Sequence, residues 1–236
     1  MTEHEVVSRE SWLVARRALL AKEKEFTRLR DGLSAERRAL PWVRIDTAYS
    51  FDGPDGRETL AELFAGRGQL IVYHFMFGPG WKEGCKSCSF WADNYDGVVA
   101  HLAQRDVTLV TVSAAPFAEF EPFRRRMGWR FKWVSSAGGD FNRDFHVSFT
   151  PEELAAGTTE YNYERRGFPA TEAPGFSVFA RDGEGGVFHT YSCYARGLDM
   201  LNGAYHLLDL VPKGRDEARL PYGMAWVRHH DRYGTD

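Results

Sequence analysis

Cysteine is scarce: the 236 residues hold three, Cys85, Cys88 and Cys193. So small and odd a number excludes the framework of paired cystines that staples small secreted domains. Long apolar runs are missing too. The longest, from Leu70 to Phe77, is interrupted by His74 and falls well short of the roughly 18 residues a membrane span needs. The opening residues, Met1-Thr2-Glu3-His4-Glu5, are polar and acidic, and no signal-peptide core follows them. Excess charge is also absent: 30 Lys and Arg against 33 Asp and Glu leave a net charge of −3 and a pI near 6.3. Nothing in that balance draws the chain to nucleic acid or to an anionic membrane. Neither internal repeats nor low-complexity tracts occur. A cytoplasmic protein with no nucleic-acid partner and no membrane partner is expected.

What the chain does have is apolar and aromatic material. Apolar residues make up 43% and aromatics 14%, enough for a sizeable core. Residues 9–38 carry Trp12, Ala15, Leu19, Phe26, Leu29 and Leu33 mostly at three- and four-residue spacing, which predicts one long amphipathic helix. Ser8 would cap it, Glu10 sits in its first turn, and Pro41 would stop it. Its face would pack on its own domain or form a homodimer contact. Beyond it the elements shorten. Strands are predicted at 43–46, 49–52, 69–77 (QLIVYHFMF), 107–113, 129–135, 176–180 and 187–193. Helical segments are predicted at 59–64, 85–104, 116–127, 141–147 and 198–208. Residues 150–173 read as an irregular insertion and 212–236 as a polar tail. The organisation is then a helical extension (1–41), one α/β domain with a mixed sheet (42–211) and the tail.

Cys85-Lys86-Ser87-Cys88 is the strongest chemical signal. It falls between a predicted strand and a predicted helix. Free backbone N–H groups at a helix start favour a thiolate over a thiol, and Lys86 adds positive charge. Two intervening residues bring the second sulfur within one helical turn of the first. Cys85 would then be the nucleophile and Cys88 the resolving thiol. A zinc half-site is the main rival, but structural zinc needs four ligands and no second paired motif accompanies this one.

The order of these elements resembles a known superfamily. TLAELFAGRGQLIVYHFMF (59–77), followed by Pro79, Gly84-Cys85 and Cys88, is similar to the opening of the peroxiredoxin-like branch of thioredoxin-like folds, the alkyl hydroperoxide reductase and thiol-specific antioxidant proteins. VTLVTVSAAP resembles that branch's second core strand, and residues 123–147 its next helix, glycine turn and short strand. Pro174-Gly175-Phe176-Ser177-Val178-Phe179 with Asp182-Gly183 looks like the cis-proline strand and hairpin. Residues 189–217 most resemble an uncharacterised bacterial thioredoxin-like family of unknown function. The resemblance implies a thioredoxin-like α/β fold, with Pro174 as a cis-proline facing the dithiol and shaping the substrate groove. The chain departs from thioredoxins in having Gly84 before the first cysteine and Lys86-Ser87 between the pair. It departs from peroxiredoxins in having Lys82 three residues before Cys85. No clear match exists for thioredoxin's buried acid.

The expected function is thiol–disulfide exchange by Cys85 and Cys88, with Pro174 beside them, no bound cofactor and a cellular thiol as reductant. A thiol-dependent peroxidase is the alternative, and copper or zinc binding without turnover is the different-class alternative. A degenerate redox fold serving as a binding module is a third. For copper, His189, Tyr191 and Cys193 alternate along one strand and would share a face, although such a face is more often simple core or surface. His74 is read as a hydrogen-bonded core histidine ahead of a proton relay. Arg124-Arg125-Arg126, Arg130 and Lys132 are read as a solvated helix face. Tyr161, Tyr163 and Phe168 would either line a pocket or pack the insertion down.

Overall fold

The computed structural model describes residues 4–234 and falls into two units, Met1–Trp42 and Val43–Asp236. The first is helix α1 (Arg9–Arg38), capped by Ser8, whose hydroxyl accepts from the Ser11 N–H at 3.2 Å. None of its residues is buried, and Phe26 and Leu29 are 66% and 67% exposed.

In the second unit eight strands form one mixed sheet. They are β1 (Val43–Arg44), β2 (Ser50–Gly53), β3 (Gly56–Thr59), β4 (Gln69–His74), β5 (Val107–Ser113), β6 (Lys132–Ser135), β9 (Gly175–Arg181) and β10 (Val187–Tyr194). Their order across the sheet is β1-β10-β9-β4-β5-β6-β2-β3. β4, β5 and β6 run parallel, and β9 lies antiparallel to β4 with β10 folded back on it. Helix α2 (Lys86–Ala92) and the short α3 (Val99–Ala103) connect β4 to β5, and α4 (Phe117–Arg126) connects β5 to β6. A β-α-β crossover beside a closing antiparallel hairpin, ordered β5-β4-β9-β10, is the thioredoxin-like arrangement. No helix among the described residues is long and apolar enough to cross a membrane.

Alternation along β4 divides the core. Leu70 and Val72 enter one cluster with Val110, Val112, Phe141 and Phe179; Tyr73, Phe75 and Phe77 enter the other with Cys88, Phe123, Trp129 and Trp133. The dithiol therefore lies on the Tyr73 face of the sheet.

Several elements differ from the sequence expectation. The helix expected over 85–104 breaks after Ala92. The side chain of Asn94 donates back to the Phe90 and Trp91 carbonyls, and the Asp96 carboxylate accepts from the Arg130 and Phe131 N–H groups. Local capping and one remote pair of donors outweigh continued helix. The segment expected as helix 198–208 is a 3-10 stretch, Ala195–Leu201, then α7 (Gly203–Leu208), because the buried Asn202 caps a new start. The insertion expected to be irregular carries regular elements. Thr150 and Glu153 form a capping box on α6 (Pro151–Ala156), and β7 (Thr159–Tyr161) pairs with β8 (Glu164–Arg166). Helix α5 (Phe141–Asp144) is one turn.

Candidate active site

β4 runs out at His74, and the chain from Phe75 to Gly84 carries it to the dithiol. The Cys85 N–H donates to the Met76 carbonyl at 3.1 Å, so the turn that carries Cys85 is tied to the end of its own strand. Gly84 is required here by space. A Cβ on it would stand 2.6 Å from a ring carbon of Phe75 and 2.8 Å from one of Phe123.

Cys85 is the N-cap of α2, and its Sγ accepts from the Cys88 N–H at 3.5 Å. The Cys88 thiol also donates to that sulfur. This bond, together with the Cys88 and Ser87 N–H groups and the Ser87 hydroxyl, outweighs the cost of burial and brings the Cys85 thiol down to about 7. Cys88, 2% exposed, is driven the other way, well above the usual thiol range. Burial is the main cause, and its bond to Cys85 adds to it. Two thiols one helical turn apart are thus split in acid strength. Tyr73 fixes the helix by donating its hydroxyl to the Cys88 carbonyl at 3.0 Å, and the Trp91 indole N–H donates to Leu198 O at 2.8 Å.

A cleft of about 250 Å³ opens beside the sulfurs, walled by Met76, Trp91, Pro174, Leu198 and Met224, with Arg196 and Asp199 also lining it. A larger hollow of about 480 Å³, lined by Arg143, His146, Glu160 and Arg165 among others, holds no cysteine. Chemistry, not volume, selects the first.

Pro174 does face the dithiol cleft, but the expectation of a cis peptide is corrected: the Ala173–Pro174 bond is trans. Residues 171–173 pair with 147–149 through Phe149 N–H to Thr171 O and Ala173 N–H to Val147 O, both 2.8 Å, and Gly175 enters β9 against His74. A trans bond carries this extended run straight from one pairing to the next. Tyr161 holds it from behind. Its hydroxyl donates to Pro174 O at 2.8 Å and accepts from the Ala195 N–H at 2.9 Å, two residues of the cleft wall. Tyr161 and Phe168 pack together at 5.0 Å between centroids, so these two side chains fasten the insertion down. Tyr163 is mostly exposed and reaches the Ser192 carbonyl.

The two histidine candidates are not brought to the sulfurs. His74 points to the opposite sheet face, against Phe141 and Phe145, where burial lowers it to about 3. Its Nε2 meets Ser177 Oγ at 2.8 Å; Ser177 meets Ser192 at 2.9 Å, and Ser192 meets His189 Nε2 at 2.7 Å. His189 and Cys193 do not share a face. A β-bulge at Thr190 inserts one residue, so the register passes from His189↔Phe179 to Tyr191↔Val178 and the alternation inverts. His189 joins the His74 side, while Cys193 packs in the dithiol cluster. The set of cysteines and His189 expected for copper is therefore not assembled. Among the described residues no group of three or more His, Cys, Asp or Glu side chains is placed to hold a metal.

The basic run is matched by acids. Arg124 and Arg125 share Glu121, and Arg126 pairs with Glu83 and Asp231. The sequence reading missed the C-terminal segment altogether. Met224 walls the cleft, and His229 Nε2 lies 2.9 Å from Gly84 O.

Fold and site together define a thioredoxin-like protein with a Cys-x-x-Cys pair at the start of the helix that follows its first core strand. More particularly, the chain belongs to a family described as bacterial protein of unknown function (DUF899), whose model matches residues 1–233. No curated protein matches the sequence. Among solved structures it is similar to the peroxidoxin BcpB from Mycobacterium tuberculosis, at 12% identity and TM-score 0.46, over 69% of this chain and 93% of that one. It is similar also to peroxiredoxin Q from Xanthomonas campestris, at 11% identity and TM-score 0.45, over 70% and 95%. A third likeness is to the yeast mitochondrial 1-Cys peroxiredoxin, at 14% identity and TM-score 0.35, over 71% and 78%.

Proposed function

We propose that this chain is a thiol–disulfide oxidoreductase with Cys85 as nucleophile, Cys88 as resolving thiol and Pro174 as part of the substrate wall. The observation that carries the reading is the opposite displacement of the two thiols, one lowered toward neutrality and one buried and raised. The Cys85 thiolate attacks one sulfur of a substrate disulfide. A mixed disulfide forms and the other half leaves as a thiolate, which takes a proton from solvent. Cys88 then loses its proton and attacks Cys85 Sγ, expelling the second half of the substrate. The protein keeps a Cys85–Cys88 disulfide and the substrate has gained two electrons. A cellular dithiol, in the reducing cytoplasm, restores the pair. Attack on a peroxide by the same thiolate would give a sulfenic acid that Cys88 resolves, releasing water. Disulfide exchange is put first because Lys82 occupies the position three before Cys85, where the peroxidatic pattern has a hydroxyl.

The test is a thiol titration in graded redox buffers on metal-analysed protein. A reversible two-electron Cys85–Cys88 couple is expected. Cysteines that never pair, or that hold stoichiometric metal, would refute the proposal, and rapid stoichiometric thiol loss to hydrogen peroxide would favour the peroxidase.

A further inference from the structure

We propose that residues 229–232 are a clamp on the dithiol helix, with His229 as a positioning residue for Cys85; the inference rests on the oxidoreductase reading. The clamp grips both ends of α2. At the start, His229 lies 145 residues from Gly84 in sequence yet meets its carbonyl at 2.9 Å. At the end, His230 Nδ1 lies 2.7 Å from Asp93, the C-cap of α2.

The partners of His229 decide which nitrogen carries the hydrogen. A carbonyl oxygen only accepts, so Nε2 donates to Gly84 O. A guanidinium only donates, so Nδ1 accepts from Arg126 at 2.9 Å. The ring is 6% exposed and packs edge-on against Phe123 at 5.1 Å. Every polar atom of the Gly84–Cys85 peptide is thereby occupied, the N–H by Met76 and the C=O by His229. With Phe75 and Phe123 closing on Gly84 from the sides, this peptide has one orientation. That orientation aims Cys85 Sγ at the Cys88 and Ser87 donors.

Charges around the imidazole secure the segment. Arg126 bridges Glu83 at 2.5 Å and Asp231 at 3.0 Å, and Arg232 also bonds Glu83. Burial opposes ionisation of Glu83, but hydrogen bonds from Arg126 and Arg232 prevail and hold its carboxyl below the usual range. The residue before Gly84 and the residues after His229 are therefore linked through one guanidinium. None of His229, Arg126, Glu83, Asp231 and Arg232 lines the cleft beside the sulfurs. Its effect on chemistry runs through the direction of the sulfur.

The experiment is the pH–rate profile of Cys85 alkylation by iodoacetamide in the full chain, followed by peptide mapping. It compares the parent with His229→Phe, which keeps a ring against Phe123 but cannot donate, and with His229→Gln, whose amide N–H reaches the same carbonyl. The Phe variant is expected to move the midpoint up by about one unit, which lowers the rate at pH 7 about fivefold and leaves the alkaline plateau unchanged. The Gln variant is expected within about twofold of the parent at every pH. A Phe profile that superimposes on the parent, or a Gln profile displaced as far as Phe, would overturn the clamp. Should the Phe variant fail to fold, the double variant Asp231→Asn, Arg232→Gln removes two outer anchors. A profile displaced in the same direction would then support the proposal, and an unmoved one would overturn it. Alkylation needs no turnover, so a parent that forms no reversible disulfide refutes the oxidoreductase reading alone.

Discussion

Gly84→Ala adds one methyl group at the tightest point of the site. The new carbon would stand 2.6 and 2.8 Å from two atoms of Phe75 and 2.8 Å from Phe123, where ordinary contact is 3.4–4 Å. Neither ring has room to retreat. Phe75 lies against Trp133 at 4.6 Å and Trp129 at 5.8 Å between centroids, and Phe123 lies against Trp129 and His229. The backbone at Gly84 is not left-handed, so conformational preference adds little and the overlap decides. Overpacking of this kind costs about 1–3 kcal/mol, and with two buried rings the upper half of that range applies. For a domain of this size each kcal/mol lowers the melting temperature by about 2–4 °C, giving a loss of about 5–10 °C. Urea and thermal unfolding followed by tryptophan fluorescence would measure it, because Trp129 and Trp133 sit beside the contact. Relief of the overlap moves the Gly84–Cys85 peptide, so alkylation of Cys85 at pH 7 should slow in the same variant. A stability loss under about 0.5 kcal/mol with unchanged alkylation would show that the turn has slack, and would refute the argument that space demands glycine.

Cys85 should alkylate with a midpoint near pH 7 while Cys88 stays unlabelled at pH 8, and Cys88→Ala should raise that midpoint by removing the thiol that donates to Cys85; preferential labelling of Cys88 would reverse the assignment. The same Cys88→Ala variant should accumulate a mixed disulfide with substrate, seen by mass spectrometry, because nothing resolves it. Glu172, 4% exposed, is raised by burial from 4.5 to about 7 although Ser148 donates to it at 2.5 Å. Its folded value lies above its unfolded value, so the stability held by the neutral carboxyl is fully present below about pH 4.5 and is lost as pH rises through about 7, on the order of 3 kcal/mol; Glu172→Gln should flatten the urea midpoint between pH 5 and pH 8, and parallel curves would refute it. The homodimer contact proposed for α1 predicts that replacing Phe26, Leu29 and Leu33 by Gln converts a dimer to a monomer in sedimentation; a monomeric parent would end that proposal.

The parts legible in the sequence were those fixed by local pattern. Apolar β-branched runs with turn residues around them gave β4, β5 and the β9–β10 hairpin, and Cys85-x-x-Cys88 after the first of these located the thiols. The capping box Thr150-x-x-Glu153 was legible too, and would have shown that the insertion contains a helix. What escaped depends on partners far along the chain. Nothing near Ala92 announces that Asp96 will take the Arg130 and Phe131 N–H groups and end the helix. Nothing in His189-Thr190-Tyr191 announces a bulge, and one added residue was enough to put His189 and Cys193 on opposite faces. Glu172 is buried and shifted toward neutrality, yet its sequence neighbours are those of an ordinary loop.

The two sulfurs differ in acid strength although they belong to the same helix. Lys86 does not account for it, since no contact of that side chain to either sulfur is among those that lower Cys85. Position does. Cys85 is at the cap, where the Cys88 thiol and the free N–H groups of Cys88 and Ser87 turn to its sulfur; Cys88 is one turn on, where burial outweighs the hydrogen bonds it receives from the Met76 backbone and Tyr73. The split therefore depends on Cys85 staying at the cap rather than being drawn into the helix or out into the loop. Met76 and His229 prevent that from opposite sides of one peptide, and Gly84 lets Phe75 and Phe123 close around it. In the proposed clamp, a C-terminal segment holds the residue before the cap and the residue after the helix, and would support the thiol chemistry in a way that no residue within the motif can. On this reasoning, the reactivity of Cys85 should be more sensitive to changes at His229 than to the loss of the Lys86 charge, and Lys86→Met should leave the alkylation midpoint within about 0.3 units of the parent.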